Sequence, residues 1–142
     1  MTRIVPDCSF LSHAFVPQQH TASAVAAFDA ANRTGHEFLA PSVVLVEFLS
    51  LLRKLRTRRS LGPELTREIL EYVMSLLTRR AEPSDAALAR AWSIATRLGQ
   101  SDVFDALGYA VAEEIGAEFW TSDLRFHNAA VREGLSGMRF IG

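Results

Sequence analysis

Apolar and polar positions alternate in a way that cuts the chain into short apolar runs joined by longer amphipathic ones. Arg3-Ile4-Val5-Pro6 is the first such run and reads as a strand, closed by Asp7 and followed by a turn into Phe10-Leu11. From about Thr21 to Asn32, Val25, Phe28 and Ala31 recur at helical spacing with Gly35 just beyond, which predicts a helix covering a sheet. Glu37 to Ala40 is a second strand, ended by Pro41, with Ser42 placed as a helix N-cap. Between Phe38 and Leu52 the only charged residue is Glu47. The β-branched Val43, Val44 and Val46 make this stretch ambiguous by periodicity, but its length and its continuation into Leu51-Leu52-Arg53-Lys54 favour a mostly buried helix.

Two amphipathic helices come next. Pro63-Glu64-Leu65-Thr66 opens one that runs through Ile69, Tyr72, Val73 and Leu76-Leu77, and Pro83-Ser84-Asp85 caps another that carries Leu88, Trp92 and Ile94 to Leu98-Gly99. Their length and apolar stripes suggest an antiparallel pair projecting from the sheet as a self-association surface. A helix from Val103 to Ile115, stopped by Gly116, leads into a third strand, Ala117 to Thr121. After Asp123, a short helix (Leu124 to Val131) and a last strand (Met138 to Ile141) complete the chain. Strands separated by helices throughout predict an α/β protein: three α/β/α layers around a central, mainly parallel sheet.

The 142 residues suit one domain spanning residues 1–142, with no repeat or flexible linker. No apolar run approaches the roughly 18 residues of a membrane helix, and nothing near Arg3 resembles a signal-peptide core, so a soluble cytoplasmic protein with no membrane partner is expected. The lone Cys8 excludes an internal disulfide and reads as a small buried hydrophobe. A net charge of −1 argues against a wholly basic nucleic-acid binder. Its distribution is less even, since Arg53, Lys54, Arg56, Arg58 and Arg59 crowd into seven residues. That cluster is a candidate RNA-backbone surface; it is equally a solvated helix end whose cations favour the negative pole of the helix dipole.

The chemistry is expected where acids meet. Asp102 and Asp105 stand three apart at a helix start, and Asp7 and Asp123 each close a strand, the edge where ligands bind in open α/β sheets. Each aspartate alone reads as a helix cap, and Asp105 stands to Asp102 nearly as in a capping box. Caps do not have to converge, however, and these acids can. Glu47, among apolar neighbours, needs a cation, a hydrogen-bond partner or a solvent-facing edge. Crowded carboxylates repel, and all-oxygen ligation suits Mg²⁺ or Mn²⁺ rather than zinc. A hard cation held this way serves phosphate chemistry. His13, His20, His36 and His127 show no paired ligand spacing.

These residues also carry a family resemblance. Asp7-Cys8-Ser9, Glu47 in an apolar helix, Asp105-Ala106 with Tyr109 to Glu113, and Thr121-Ser122-Asp123 before Arg125-Phe126 resemble a PIN domain, and the size resembles the VapC ribonuclease toxins. The resemblance covers essentially the whole chain and rests on the combination, since no single motif is specific. It implies a catalytic quartet of Asp7, Glu47, Asp105 and Asp123, with Asp7, Asp105 and Asp123 ligating Mg²⁺ or Mn²⁺ and Glu47 completing the site or orienting water. Ser9 and Thr121 would support them, and Asp102, outside the core pattern, would be an outer or capping residue. Implied too are endoribonuclease activity on single-stranded or loop RNA, a cognate antitoxin that blocks the site, and a homodimer. Arg53 to Arg59 and Arg125 are the candidate RNA contacts. Two other readings stand beside this one: a catalytically inactive RNA- or peptide-binding module, and another metal-dependent phosphohydrolase.

Overall fold

The computed structural model describes all 142 residues. In chain order the elements are β1 (Arg3–Pro6), α1 (Cys8–Phe15), a 3₁₀ turn (Pro17–Gln19), α2 (Ala22–Arg33), β2 (Glu37–Phe38), α3 (Ser42–Thr57), α4 (Pro63–Leu76), α5 (Asp85–Leu98), α6 (Phe104–Ile115), β3 (Glu118–Thr121), α7 (Leu124–Arg132) and β4 (Met138–Phe140). The four strands form one sheet in the order β2-β1-β3-β4, and every pairing is parallel. Ile4 lies opposite Glu118 and Pro6 opposite Trp120, so β1 and β3 end almost level.

Alternation along the strands divides the core in two. Ile4 and Trp120 point into one apolar cluster, with Phe10, Phe28, Phe48, Ile69 and Val73 from α1 to α4. Val5 and Phe119 point into the other, with Ile94, Val111 and Phe126 from α5, α6 and α7. Successive residues of a strand face opposite sides, so a central parallel sheet has to be covered on both, and the expected three-layer α/β/α architecture results. α6 lies very close to the sheet. Gly108 makes this approach possible, because a Cβ there would stand 2.8 Å from Phe119 Cε1.

Two expectations need correction. α4 and α5 are not an antiparallel pair: α4 packs into the cluster on one face of the sheet and α5 into the cluster on the other. The segment between them passes the β2 edge, where Ala40 bridges Arg80 and the Ala81 N–H donates to Ala40 O. An amphipathic stripe records that a helix face is buried, not against which layer. Ser42 is also not a cap but the first residue of α3, after Pro41, and its backbone N–H donates to Glu82 Oε1 at 2.9 Å.

Candidate active site

Parallel topology gathers helix starts at one edge. α1, α3 and α7 each begin just beyond the carboxyl end of a strand, and α6, which runs back to feed β3, begins at that edge too. The acids enter there: Asp7 after β1, Glu47 in the second turn of α3, Asp105 in the first turn of α6, and Asp123 after β3. The positive poles of these helices favour carboxylates close to them.

Asp7 and Asp123 do serve as caps. Asp7 Oδ1 accepts from Phe10 N–H at 2.8 Å and Asp123 Oδ1 from Phe126 N–H at 3.1 Å, each starting its helix. Capping is not the whole of their environment. Asp7 is 3% exposed, and it takes a second bond on Oδ1 from Ser9 Oγ at 2.6 Å and one on Oδ2 from Thr121 Oγ1. Ser9 Oγ in turn accepts from Ser122 N–H at 2.9 Å, and Thr121 Oγ1 from Asp123 N–H at 3.0 Å. The two hydroxyls therefore clamp the ends of β1 and β3 together around one carboxylate. Each has a single proton, which it gives to Asp7, so their own 3.3 Å contact is a close approach rather than a third bond. Three of the roughly four acceptor positions of an ionised carboxylate are filled, and one is left on Oδ2.

Asp105 is different, for it neither caps α6, which starts from Val103, nor receives a hydrogen bond. The capping-box reading does not hold; it is Asp102 whose Oδ1 accepts from Phe104 N–H, at 3.3 Å. Burial raises the Asp105 pKa from 3.8 to about 8, helped by the charges of Asp7, Glu47, Asp123 and Asp102. Burial also lifts Glu47 from 4.5 to about 7, with Asp7 and Asp102 adding repulsion. Asp7 is raised by burial to about 6; bonds from Ser9, Thr121 and Phe10 pull it down and the charge of Asp123 adds to the rise. Cys8 beside them is pushed by burial, and by Glu47, Asp7 and Asp105, up to about 12, so its thiol stays protonated and packs as a hydrophobe.

Asp102, Asp105 and Asp123 line an open cleft of about 720 Å³ together with Gln100, Arg125, Asn128 and Arg132. Asp7, which is buried, and Glu47 are both outside its lining. Among the predicted basic contacts only Arg125 reaches this cleft. Arg53, Lys54 and Arg56 follow Glu47 by 6 to 9 residues on a helix that leads away from the acidic edge, about 9–14 Å along its axis, and Arg58 and Arg59 lie just past its end. Arg53 and Arg56 instead border an apolar groove between α3 and α4, and Arg56 Nη1 donates to Leu61 O at 2.7 Å. Sequence reading missed Gln100, Asn128 and Arg132. The α7 pair was signalled by the spacing Arg125, Asn128, Arg132, which places all three on one helix face.

The family model described as "PIN domain" matches residues 4–132. The chain is a PIN domain. Its fold is shared with solved structures of low sequence identity. VapBC2 from Rickettsia felis, bound to a DNA fragment from its promoter, aligns at 17% identity and TM-score 0.65, covering 90% of this chain and 93% of that one. PAE2754 from Pyrobaculum aerophilum aligns at 18% identity and TM-score 0.66, covering 99% and 91%. FitAcB from Neisseria gonorrhoeae aligns at 20% identity and TM-score 0.62, covering 90% and 93%. Among curated protein sequences none matches this PIN domain.

A divalent cation can be tested against this donor set. No three of the His, Cys, Asp and Glu side chains stand close enough to enclose an ion as they are. Their chemistry nevertheless fits a hard cation: every donor is a carboxylate oxygen, Asp7 keeps one acceptor position open, and three of the four acids are raised by burial and by one another's charge. Asp105 and Glu47 accept no hydrogen bond from the protein, so their carboxylates are not tied up elsewhere.

Proposed function

We propose that this PIN domain is a Mg²⁺- or Mn²⁺-dependent endoribonuclease and the toxin of a type II toxin–antitoxin pair, working in the cytoplasm as a homodimer. The observation that carries the reading is the electrostatic coupling of Asp7, Glu47, Asp105 and Asp123 at one sheet edge, three of them held above their ordinary pKa. Asp7, Asp105 and Asp123 would hold the ion. When bound, it would supply charge neutralisation at a phosphodiester and a water of lowered pKa.

The chain's own residues divide the remaining work. Ser9 and Thr121 keep Asp7 ionised and fixed, since both donate to it. Glu47, carried on a rigid helix and titrating near neutrality, is suited to accept a proton from an attacking water. Asp102 steadies the start of α6 at Phe104 N–H and lines the cleft. Arg125, in the lining of the same cleft, is suited to contact a phosphate.

Similarity in fold to VapBC2 and FitAcB supports an antitoxin partner. An anionic edge of this kind attracts an inserted Arg or Lys, so we expect the antitoxin to inhibit through a basic side chain directed at the four acids. No helix is long and apolar enough to cross a membrane.

A panel of single-stranded RNA, DNA and a generic phosphoester, each with Mg²⁺, Mn²⁺ or chelator, tests the assignment. Cleavage of RNA alone, abolished by chelator, is expected. Cleavage of DNA or of the simple ester in preference would indicate another phosphohydrolase. RNA binding without cleavage in any metal would indicate a binding module.

A further inference from the structure

Away from its acids, the cleft has a second chemistry. One face of α7 contributes Arg125, Asn128, Ala129 and Arg132, and the turn between α5 and α6 faces it with Gln100. Neither Arg125 nor Arg132 belongs to any of the chain's four ion pairs, although three carboxylates line the same cleft. Arg97, at the end of α5, is by contrast engaged by Glu133 at 3.3 Å. The two unpaired arginines stand seven residues apart on α7, their backbone positions offset by about 10.5 Å along its axis. That offset lets the two side chains reach different phosphates of one strand. The small Ala129 between them leaves the wall low at the centre.

Gln100 stands on a fixed backbone. Its N–H donates to Ala95 O at 2.9 Å, and Gly99 before it takes φ +67°. Its side-chain Oε1 is buried and has no hydrogen-bond partner. Buried polar atoms are nearly always paired, so this amide is stabilised by any ligand that draws it into the cleft and offers it a donor. A glutamine amide pairs with a base edge through two bonds, one given and one received. Unstacked bases of a single strand expose such edges.

We propose that Arg125 and Arg132 hold separate phosphates of an RNA strand running along α7 beside the scissile bond, and that Gln100 reads the base seated between them. This rests on the ribonuclease reading and adds to it a strand path and a base preference. Two measurements test it. Wild type, Arg132→Ala and Gln100→Leu are titrated with a single-stranded RNA oligonucleotide in chelator across a range of salt. The ends released from a randomised RNA in Mg²⁺ are then sequenced.

Arg132→Ala is expected to weaken binding for all sequences alike and to flatten the log K against log [salt] slope by about 0.7, the value of one phosphate contact on a single strand. Gln100→Leu keeps the size and loses the amide; the base enrichment at one position near the cut is expected to fall about five-fold or more. Arg132 is exposed, so its variant keeps the fold and carries the test even where Gln100→Leu perturbs the turn. If wild type cuts RNA while Arg132→Ala keeps the wild-type salt slope, the strand path is overturned. An unchanged base profile in Gln100→Leu, or a wild type with no base enrichment near the cut, overturns the base-reading assignment. A wild type that neither binds nor cuts RNA would instead overturn the ribonuclease reading on which the proposal rests.

Discussion

Replacing Asp105 by asparagine should make the metal-free protein more stable, which is the opposite of what losing a helix cap does. The side chain receives no hydrogen bond, so the amide breaks none while keeping the shape. Its pKa lies near 8 in the fold, raised by burial and neighbouring charge from 3.8. Between these values the folded protein binds more protons than the unfolded chain, so stability falls as pH rises through this window. At pH 7 the folded state must retain a proton that the unfolded chain has released more than three decades of pH earlier. At about 1.4 kcal/mol per decade the ceiling is roughly 4 kcal/mol, and because Asp7 and Glu47 share the same repulsion, about 2–4 kcal/mol is expected. Urea unfolding of wild type and Asp105→Asn in chelator, from about pH 4.5 to pH 8.5, reads this directly. The two should nearly coincide at the acid end, and the variant should become more stable as pH rises. A constant destabilisation of about 1 kcal/mol at every pH would be the signature of a lost cap and would refute the crowding argument.

Other consequences arise from the same geometry. Asp123→Ala should lose about 1 kcal/mol in chelator and more in metal, because wild type alone gains the ion's stabilisation, whereas Asp123→Asn, which can still accept from Phe126 N–H, should lose little stability in chelator but most of the cleavage activity; equal activity in Asp123→Asn and wild type would remove this residue from the site. Thr121→Val should cost about 1–3 kcal/mol, because Asp123 N–H loses its acceptor and Asp7 loses a donor, and chemical denaturation measures it. Gly108→Ala should destabilise by about 1–3 kcal/mol despite the better helix former, because the added Cβ meets the buried Phe119 ring; a melting temperature at or above wild type would show that the ring can yield. Mg²⁺ or Mn²⁺ should raise the wild-type melting temperature by binding only the folded state, more strongly as pH rises through about 6 to 8 and the acids shed protons, and Asp105→Asn should lose most of that rise.

How far the sequence could be read depended on whether the signal was local. Ile4-Val5 and Phe119-Trp120 are short runs with both neighbours apolar, as strands covered on two faces must be, and the helices between them force parallel pairing. Asp7 and Asp123 stood out because each closes such a run, and the level ends of β1 and β3 bring them to one edge. The layer assignment of α4 and α5 was not legible, since nothing in an apolar stripe names its partner surface. Nor was the direction of Arg53 to Arg59. That depends on α3 starting at the acidic edge and carrying its later turns away from it. Gln100 was hidden for a different reason. A glutamine in a turn has no sequence signature, and only the fold shows its carbonyl buried without a partner.

The proposed nuclease activity requires that the acids at this edge hold a divalent ion and that RNA cleavage depend on it. Titrating Mn²⁺ into metal-free wild type and Asp105→Asn, with bound Mn²⁺ counted by electron paramagnetic resonance and RNA cleavage followed in the same samples, tests it most directly. Cleavage by wild type should rise from nothing in proportion to bound Mn²⁺, and Asp105→Asn should bind the ion at least about ten-fold more weakly and cleave correspondingly less. RNA cleavage at full rate before any Mn²⁺ is bound, or equal binding and cleavage by the two proteins, would contradict it.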